Sequence, residues 1–105
     1  MVKPRRAEIW WGESPDDKGR PYLVLTRDAA IGVVTRVLAA PVTRRVRGIP
    51  TEIPLGRDEG LPTECAASFD NLQPIHAALL VRRLGSLDNS RRDEIWAAIG
   101  AAVDC

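Results

Sequence analysis

A chain of 105 residues has room for one hydrophobic core and not for two, since independent domains usually need about 100 to 150 residues. Hydrophobic residues make up 45% and charged residues 28% of the chain, which excludes an intrinsically disordered protein, and no apolar run approaches the roughly 20 residues of a membrane span. The net charge of only +1 argues against a uniformly basic nucleic-acid binder, although the cations are unevenly spread.

The N-terminus is basic, but Glu8 and strand-like residues follow it in place of the apolar core of a secretion signal. We therefore expect a cytoplasmic protein. The two cysteines, Cys65 and Cys105, have no metal-ligand spacing around them and are predicted to be free thiols.

Two strands are predicted near the start of the chain. In Ala7 to Trp11 the residues alternate as they do in a half-buried strand, and Tyr22 to Thr26 is a compact apolar run that Pro21 opens. Between them, Gly12 to Gly19 is rich in turn-forming residues, which predicts an exposed and mobile loop.

The longest β-rich segment, Val33 to Ala40, predicts a central strand that Pro41 ends, because proline lacks the backbone donor that a ladder needs. Thr43 is then expected just past this strand, followed by a loop from Arg44 to Pro50. Arginine binds phosphate in a planar, bidentate manner, and it is concentrated here. The cluster consists of Arg36, Arg44, Arg45 and Arg47. A compositional bias toward arginine remains an alternative explanation for the arginine total of the whole chain.

Several short strands and one helix are predicted for the rest of the chain. The strands lie near residues 51–54, 64–67, 71–73 and 79–85, and since no crossover helix separates any pair, a small barrel is favoured over a parallel sheet. The helix follows Asp88, a suitable N-cap, with Asp93 and Glu94 near its positive end. We expect its apolar face to pack on the barrel and Trp96 to lie in the core or at an interface. The apolar residues at helical spacing are Ile95, Ile99, Ala102 and Val103.

A series of short sequence blocks runs through the chain. The blocks are Glu8-Ile9-Trp10-Trp11, Gly19-Arg20-Pro21 with Leu23-Val24-Leu25, Ala40-Pro41-Val42-Thr43, Arg47 to Leu55, Gly60-Leu61-Pro62, Glu64-Cys65, Asp70-Asn71-Leu72-Gln73 and Val81 to Gly85. Each block is weak alone, but their order and spacing are specific, and together they resemble the MazF/PemK toxin family over nearly the whole chain, from Arg6 to Cys105. Ala7 departs from the family, which often has glycine there, and the loop from Gly12 to Gly19 is shorter than in many relatives.

The resemblance implies a mainly β (α+β) fold. This is a small SH3-like β-barrel of the MazF/PemK/CcdB type with a C-terminal α-helix, in a single domain over residues 1–105. It also implies a sequence-selective, ribosome-independent endoribonuclease toxin of a type II toxin-antitoxin system. Its partners would be a second copy of the chain, single-stranded RNA, and a cognate antitoxin whose disordered tail competes with RNA for a basic groove between the subunits.

The resemblance places catalysis on Arg20 and Thr43. In RNA the 2′-hydroxyl group is itself the nucleophile, so a metal-free route leaves 2′,3′-cyclic phosphate and 5′-hydroxyl ends. Arg20 would hold the phosphate with its planar fork, and Thr43 would donate a hydrogen bond to the same oxygens. A guanidinium group stays protonated near neutral pH, which makes it a poor base, so the general base stays unassigned. No metal or cofactor is expected, since the acids and the single histidine lack ligand spacing.

The remaining predicted RNA contacts are arginines for the backbone, polar groups for base edges and an aromatic ring for stacking. Trp10 and Trp11 point to opposite faces of a strand, so one belongs to the core, and Trp11 is favoured as the stacking residue. For the arginines a solvated face stays open as an alternative. His76 is expected to be a loop residue without a catalytic role. The predicted RNA-binding residues are Trp11, Ser14, Pro21, Arg44, Arg45, Arg47, Asp70, Asn71 and Gln73.

Two other functions stay open at this point. CcdB proteins share this fold and poison DNA gyrase by protein contact, but they depend on a Trp-Gly-Ile ending, whereas this chain ends in Ala102-Val103-Asp104-Cys105. The second alternative is a barrel that binds RNA without cutting it, which a silent Arg20→Ala substitution would favour.

Overall fold

The computed structural model describes residues 4–14, 17–26 and 35–103. Short 3₁₀ turns lie at Arg57–Glu59, Phe69–Asn71, Ala77–Leu79 and Asn89–Arg91. Within these ranges the chain forms strands β1 (Glu8–Ser14), β2 (Asp17–Val24), β3 (Arg36–Thr43), β4 (Glu52–Leu55), β5 (Cys65–Ser68), β6 (Gln73–His76) and β7 (Leu80–Ser86), and helix α1 (Asp93–Val103).

All strand pairs are antiparallel, in the order β4-β5-β3-β2-β1-β7, and β6 also pairs with β3. One edge of β3 changes partner along its length, because Arg36 to Ala39 pair with β6 whereas Val42 and Thr43 pair with β5. This exchange splits and curls the sheet. The predicted mainly β architecture with a C-terminal helix is confirmed.

Pro41 does not end the central strand, and that prediction was wrong. β3 continues to Thr43, and Pro41 lies opposite Tyr22 of β2. Pro41 falls where β3 leaves β6 and has not yet met β5, so its missing donor interrupts no continuous ladder on that edge. Thr43 is therefore the last residue of a strand. The predicted start of this strand at Val33 lies outside the described residues.

The segment from Gly12 to Gly19 is largely a β-hairpin and not a loop. β1 extends to Ser14 and β2 begins at Asp17, with Gly12 opposite Arg20 and Ser14 opposite Asp17. Polar residues in a two-stranded extension have the same composition as a loop, which is why the prediction failed here. Pro15 and Asp16 lie outside the described residues.

Two apolar clusters lie on opposite faces of the sheet, as the alternation of side chains along each strand requires. Ile9 and Leu23 belong to the larger cluster, together with the fully buried ring of Phe69, whereas Trp10 and Tyr22 belong to the smaller one. Burying a side chain of this size stabilises the fold by about 1.5 to 3 kcal/mol. The prediction that one of the two adjacent tryptophans is a core residue is confirmed for Trp10.

Helix α1 packs on the larger cluster through Ile95 and Ala98. Trp96 is not a core residue, since it is 58% exposed, with the Arg6 guanidinium 5.3 Å from its ring centre. Trp96 follows the buried Ile95 and is about 100° further round the helix, so it faces away from the core. Within the described residues, the helix falls short of the length and apolarity that crossing a membrane requires.

Ala7 has an unusual backbone conformation, with φ of +70°, which is rare for any residue other than glycine. Its side chain is fully buried. Its amide donates to the carbonyl of Val24 at 2.8 Å, and its carbonyl accepts from the amide of Leu87 at 2.7 Å. These bonds hold the strained residue in place between β1, β2 and the start of the C-terminal segment.

Candidate active site

Arg20 and Thr43 lie on the neighbouring strands β2 and β3. Arg20 is exposed and follows Gly19, whose φ of +98° favours glycine. A Cβ atom on Gly19 would also come within 2.8 Å of the Trp11 ring, so this position requires glycine twice over. Thr43 is half-buried, and its hydroxyl oxygen accepts from the amide of Arg45 at 3.1 Å. That bond occupies the oxygen and leaves the hydroxyl proton to donate elsewhere.

Three adjoining cavities share Arg20, and together we call them the Arg20 groove. The first, of about 560 Å³, contains Thr43 together with Trp11, Pro21 and Arg44. The second, of about 450 Å³, also contains Thr43 and is lined by the next residues of the arginine-rich loop. The third, of about 570 Å³, extends away from Thr43 toward β6. Arg20 thus lies where the three cavities meet, and Thr43 lines the two on one side of it.

Most of the predicted RNA-binding residues line this groove. Trp11, Pro21 and Arg44 line the first cavity, and a second set lines the second cavity, namely Arg45, Arg47, Asn71 and Gln73. Asp70 lies outside the lining, where its carboxylate accepts a hydrogen bond of 2.7 Å from the Thr51 hydroxyl. Ser14 is the last residue of β1, and its side chain is outside the description. Their contacts with RNA stay predictions.

Sequence reasoning missed Arg82, which lines the first cavity. Arg82 lies opposite Trp11 in the pairing of β1 with β7, so the two side chains share a face. The neighbouring Arg83 is instead bound to Glu8, with its Nε 2.8 Å from the carboxylate. The two arginines are neighbours in the sequence, and they have different surroundings because of the strand register.

The third cavity brings in two residues to which no site role was given. Arg36 and His76 lie opposite one another in the pairing of β3 with β6 and line this cavity with Arg20. His76 is exposed at the end of β6 and not in a loop, and its Nδ1 accepts from the amide of Ala78 at 3.2 Å. A neutral imidazole with Nδ1 as acceptor carries its proton on Nε2, which is then a hydrogen-bond donor.

One wall of the first cavity is the segment Gly60 to Thr63, which is fixed against β7. Gly60 has a φ of +88°, and a Cβ atom there would collide with the carbonyl of Leu84. A Cβ atom on Gly85 would collide in turn with the carbonyl of Glu59. The two backbones therefore touch directly, and the wall takes its position from the strand that carries Arg82.

The Arg20 groove is cationic. Among the described residues that line its three cavities there is no carboxylate, although the chain as a whole has nearly as many acids as bases. Elsewhere in the described ranges, no three His, Cys, Asp or Glu side chains are grouped so as to hold a metal ion. The lining arginines are Arg20, Arg36, Arg44, Arg45, Arg47 and Arg82.

Cys65 lines the first cavity as a free thiol, as predicted, and the structure shows that it is buried. Burial raises the pKa of this thiol, and the negative charge of Glu59 raises it further, whereas Arg44 opposes both. The thiol therefore stays protonated near neutral pH. Cys105 lies outside the described residues.

Comparisons with known proteins identify the family of the chain. The family model of the PemK-like, MazF-like toxin of type II toxin-antitoxin systems matches residues 5–103. The chain is 41% identical over 104 residues to the probable endoribonuclease MazF5 of Mycobacterium tuberculosis, covering 97% of this chain and 94% of that protein. It is also 41% identical to the endoribonuclease MazF3 of that organism, over 84% of this chain and 85% of that protein.

Solved structures give the same result. The Mycobacterium tuberculosis toxin MazF-mt6 superposes with a TM-score of 0.86 at 38% identity, covering 92% of this chain and 96% of the other. A mycobacterial endoribonuclease solved in complex with its cognate antitoxin superposes with a TM-score of 0.83 over 96% and 95% of the two chains, and at 23% identity this likeness concerns the fold alone. With a family match over nearly its whole length and relatives above 40% identity, the chain belongs to the PemK-like, MazF-like toxins of type II toxin-antitoxin systems.

Proposed function

We propose that this chain is an endoribonuclease toxin that cuts single-stranded RNA at selected sequences, without a ribosome and without a metal ion. The observation that carries the proposal is the Arg20 groove, where an exposed arginine and a threonine with an available hydroxyl proton lie among further arginines. Family membership and the endoribonuclease relatives support the same reaction.

In the proposed reaction the 2′-oxygen of one nucleotide attacks the adjacent phosphorus. A bond forms between the 2′-oxygen and phosphorus, the bond from phosphorus to the 5′-oxygen breaks, and the products carry a 2′,3′-cyclic phosphate and a 5′-hydroxyl group. Arg20 stabilises the charge that builds on the phosphoryl oxygens, and Thr43 donates a hydrogen bond to them. The amide of Arg45 orients the Thr43 hydroxyl for this donation. Two groups stay unassigned, namely the one that takes the proton from the 2′-hydroxyl and the one that gives a proton to the departing 5′-oxygen.

Single-stranded RNA suits this groove because its bases are free to stack and its phosphates are free to bend toward cations. In the proposal Trp11 stacks on one base, and Asn71 and Gln73 read base edges. Arg44, Arg45 and Arg47 bind the backbone, and Pro21 supplies an apolar contact. Ser14 and Asp70 would contact the edges of the bound RNA.

The proposal includes two protein partners. A second copy of the chain would extend the groove, and a disordered antitoxin tail with acidic residues would bind the same arginines and exclude RNA. The solved complexes of related toxins with antitoxins support the second partner. A cytoplasmic location, where RNA and antitoxin are both made, completes the proposal.

The experiment that tests the proposal is incubation of the purified protein with a long single-stranded RNA in EDTA, followed by mapping of the ends. We expect discrete cuts with 2′,3′-cyclic phosphate and 5′-hydroxyl ends, lost by at least about 100-fold in Arg20→Ala, as for removal of a charge-stabilising donor, and reduced in Thr43→Ala. Arg92→Ala, an exposed arginine outside the groove, serves as the control. If the wild-type protein binds varied RNAs but leaves them intact, a non-cleaving RNA-binding barrel replaces the proposal. If it does neither, gyrase is the next target to test.

A further inference from the structure

Glu52 is a buried carboxylate beneath the loop that carries the groove arginines. It is the first residue of β4, and its side chain is only 2% exposed. Its Oε1 accepts from the amides of Arg47 at 2.9 Å and Gly48 at 3.1 Å, and its Oε2 lies 3.4 Å from Nε of Arg47. Burying a charge is costly unless such donors surround it, so Glu52 and the loop stabilise each other.

These bonds fix a segment that has neither helix nor strand. Residues 44–51 lie between β3 and β4 with mostly exposed side chains, and Gly48 takes a left-handed conformation with φ of +65°. The loop is tied at its start by the bond from the Arg45 amide to Thr43 and in its middle by Glu52. The amide of Glu52 itself donates to the carbonyl of Ile49 at 3.0 Å, which closes the turn.

Glu52 also orients the guanidinium of Arg47. Nε faces the buried carboxylate, and the two terminal nitrogens make no hydrogen bond within the part of the chain that the structure describes. The Arg47 side chain is about half exposed and lines the second cavity with Arg20 and Thr43. A guanidinium held by Nε presents its other edge in a fixed plane, which suits a phosphate better than a freely rotating side chain.

We propose that Glu52 is a positioning residue for RNA binding, which holds Arg47 so that its terminal nitrogens bind a phosphate next to the one cleaved. The proposal rests on the proposed function. A negative charge beneath a cationic groove repels RNA, so electrostatics alone predicts that removing the Glu52 charge tightens RNA binding. A positioning role predicts the opposite. Loss of positioning weakens binding instead, because ordering a freed Arg47 side chain costs about as much as its phosphate contact contributes, so that contact is lost.

The test measures binding of an RNA oligonucleotide that carries the mapped cleavage sequence with a 2′-deoxy group at the cleaved nucleotide, so that it is bound but not cut. In Glu52→Gln we expect Kd to rise about 3- to 10-fold, the cost of ordering one long side chain. We also expect the slope of log K against log salt concentration to shrink by about 0.7, the loss of one phosphate contact in single-stranded RNA. Arg47→Ala should show the same change, and the double variant should show no more than Arg47→Ala alone.

Glu59→Gln is the matched control. Glu59 is also buried, accepts from the amide of Gly56 at 2.6 Å and pairs with Arg91 at 3.3 Å, but it supports a turn that carries no groove arginine. It should lower the melting temperature and leave the salt slope of RNA binding unchanged, because the segment that follows Glu59, Gly60 to Thr63, carries no arginine. If Glu59→Gln weakens RNA binding as much as Glu52→Gln does, the effect is general destabilisation and the proposal is wrong.

Unchanged or tighter RNA binding by a folded Glu52→Gln protein, with the wild-type salt slope, would overturn the positioning role. Should that variant fail to fold by circular dichroism, Arg47→Lys decides the matter. Lysine keeps the charge but has all its donors on one nitrogen, so it cannot face Glu52 with one edge and present a second, fixed edge to a phosphate as the guanidinium does. We therefore expect the same weakening, and wild-type binding would refute the proposal. If the wild-type protein neither binds nor cuts RNA, it is the proposed function that fails, which is a separate result.

Discussion

Arg82 and Arg83 are sequence neighbours on β7 with different surroundings, and they make a matched pair. Arg82 lines the first cavity opposite Trp11, whereas Arg83 is bound to Glu8. We expect Arg82→Ala to raise KM for RNA about 5- to 10-fold, as loss of one charge-assisted phosphate contact would. Arg83→Ala should leave KM unchanged and cost at most about 1 kcal/mol of stability. Steady-state cleavage of a labelled oligonucleotide checks both, and equal effects on KM would show that Arg82 has no special place.

The buried thiol of Cys65 should react slowly. Because burial raises its pKa, little thiolate is present at pH 8, and the sulfur is also shielded from reagent. In a Cys105→Ser variant, we expect modification by a disulfide reagent to be at least about tenfold slower in the native protein than in denaturant. Equal rates would mean that the region around β5 opens readily.

Only some of the residues of the candidate site could be predicted from the sequence. Arg20 and Thr43 came from the family resemblance, and the structure places them along one groove. Arg82 could not have been singled out, because its side chain is directed by the register between β1 and β7, including its bulges, which no local pattern encodes. The role of Glu52 could not be predicted from the sequence for a related reason, since its burial depends on its contacts with the preceding loop.

At the level of elements, the entry to helix α1 depends on carboxylates whose charged forms are stabilised. Arg91 donates to both oxygens of Glu94 at 2.8 Å, which lowers the pKa of that carboxyl, and Ser90 donates to Asp88, which lowers the pKa of the capping carboxyl. Arg91 also donates to the carbonyl of Pro54 at 2.7 Å. The same cluster thus joins the helix start to β4.

A depressed pKa in the folded state means that this stabilisation is present above the unfolded pKa of about 4 and is lost as pH falls below it. Between pH 6 and pH 3 the melting temperature of the wild-type protein should therefore fall more than that of Glu94→Gln. The difference should be small, about 2 °C, because the Glu94 side chain is partly exposed. Thermal unfolding followed by circular dichroism at a series of pH values measures it, and parallel curves would contradict the role given to the ion pair.

The elements themselves were predictable where the apolar pattern is strong, as in β1, β7 and α1, and less so where chain context decides. Pro41 is an example, because a proline is tolerated inside β3 only where that strand exchanges one partner for another. The hairpin of β1 and β2 is another, because its polar residues have the composition of a loop but pair as strands. In both cases the deciding contact is with a distant part of the chain.

For the whole molecule, a net charge of +1 conceals a marked separation of charge, because arginines line all three cavities around Arg20 and no carboxylate belongs to their described lining. A second subunit is part of the proposed function. We expect the mass in solution to be twice that of one chain, and the melting temperature to rise with protein concentration, since dimerisation stabilises the folded state by mass action. A monomer mass from light scattering at micromolar concentration, with a melting temperature independent of concentration, would argue against the dimer.

The contact between Gly60 and Gly85 has a consequence for how cells could escape such a toxin. If the protein arrests growth, colonies that survive its expression carry disabling mutations, and both glycines should be represented among the survivors although neither contributes a side chain to the groove. No second mutation elsewhere should readily restore toxicity to such survivors, because the obstacles that a Cβ atom would meet are main-chain carbonyls, which remain whatever residue the gene encodes at those positions. The two codons are then as intolerant of change as the codon for Arg20, for purely steric reasons.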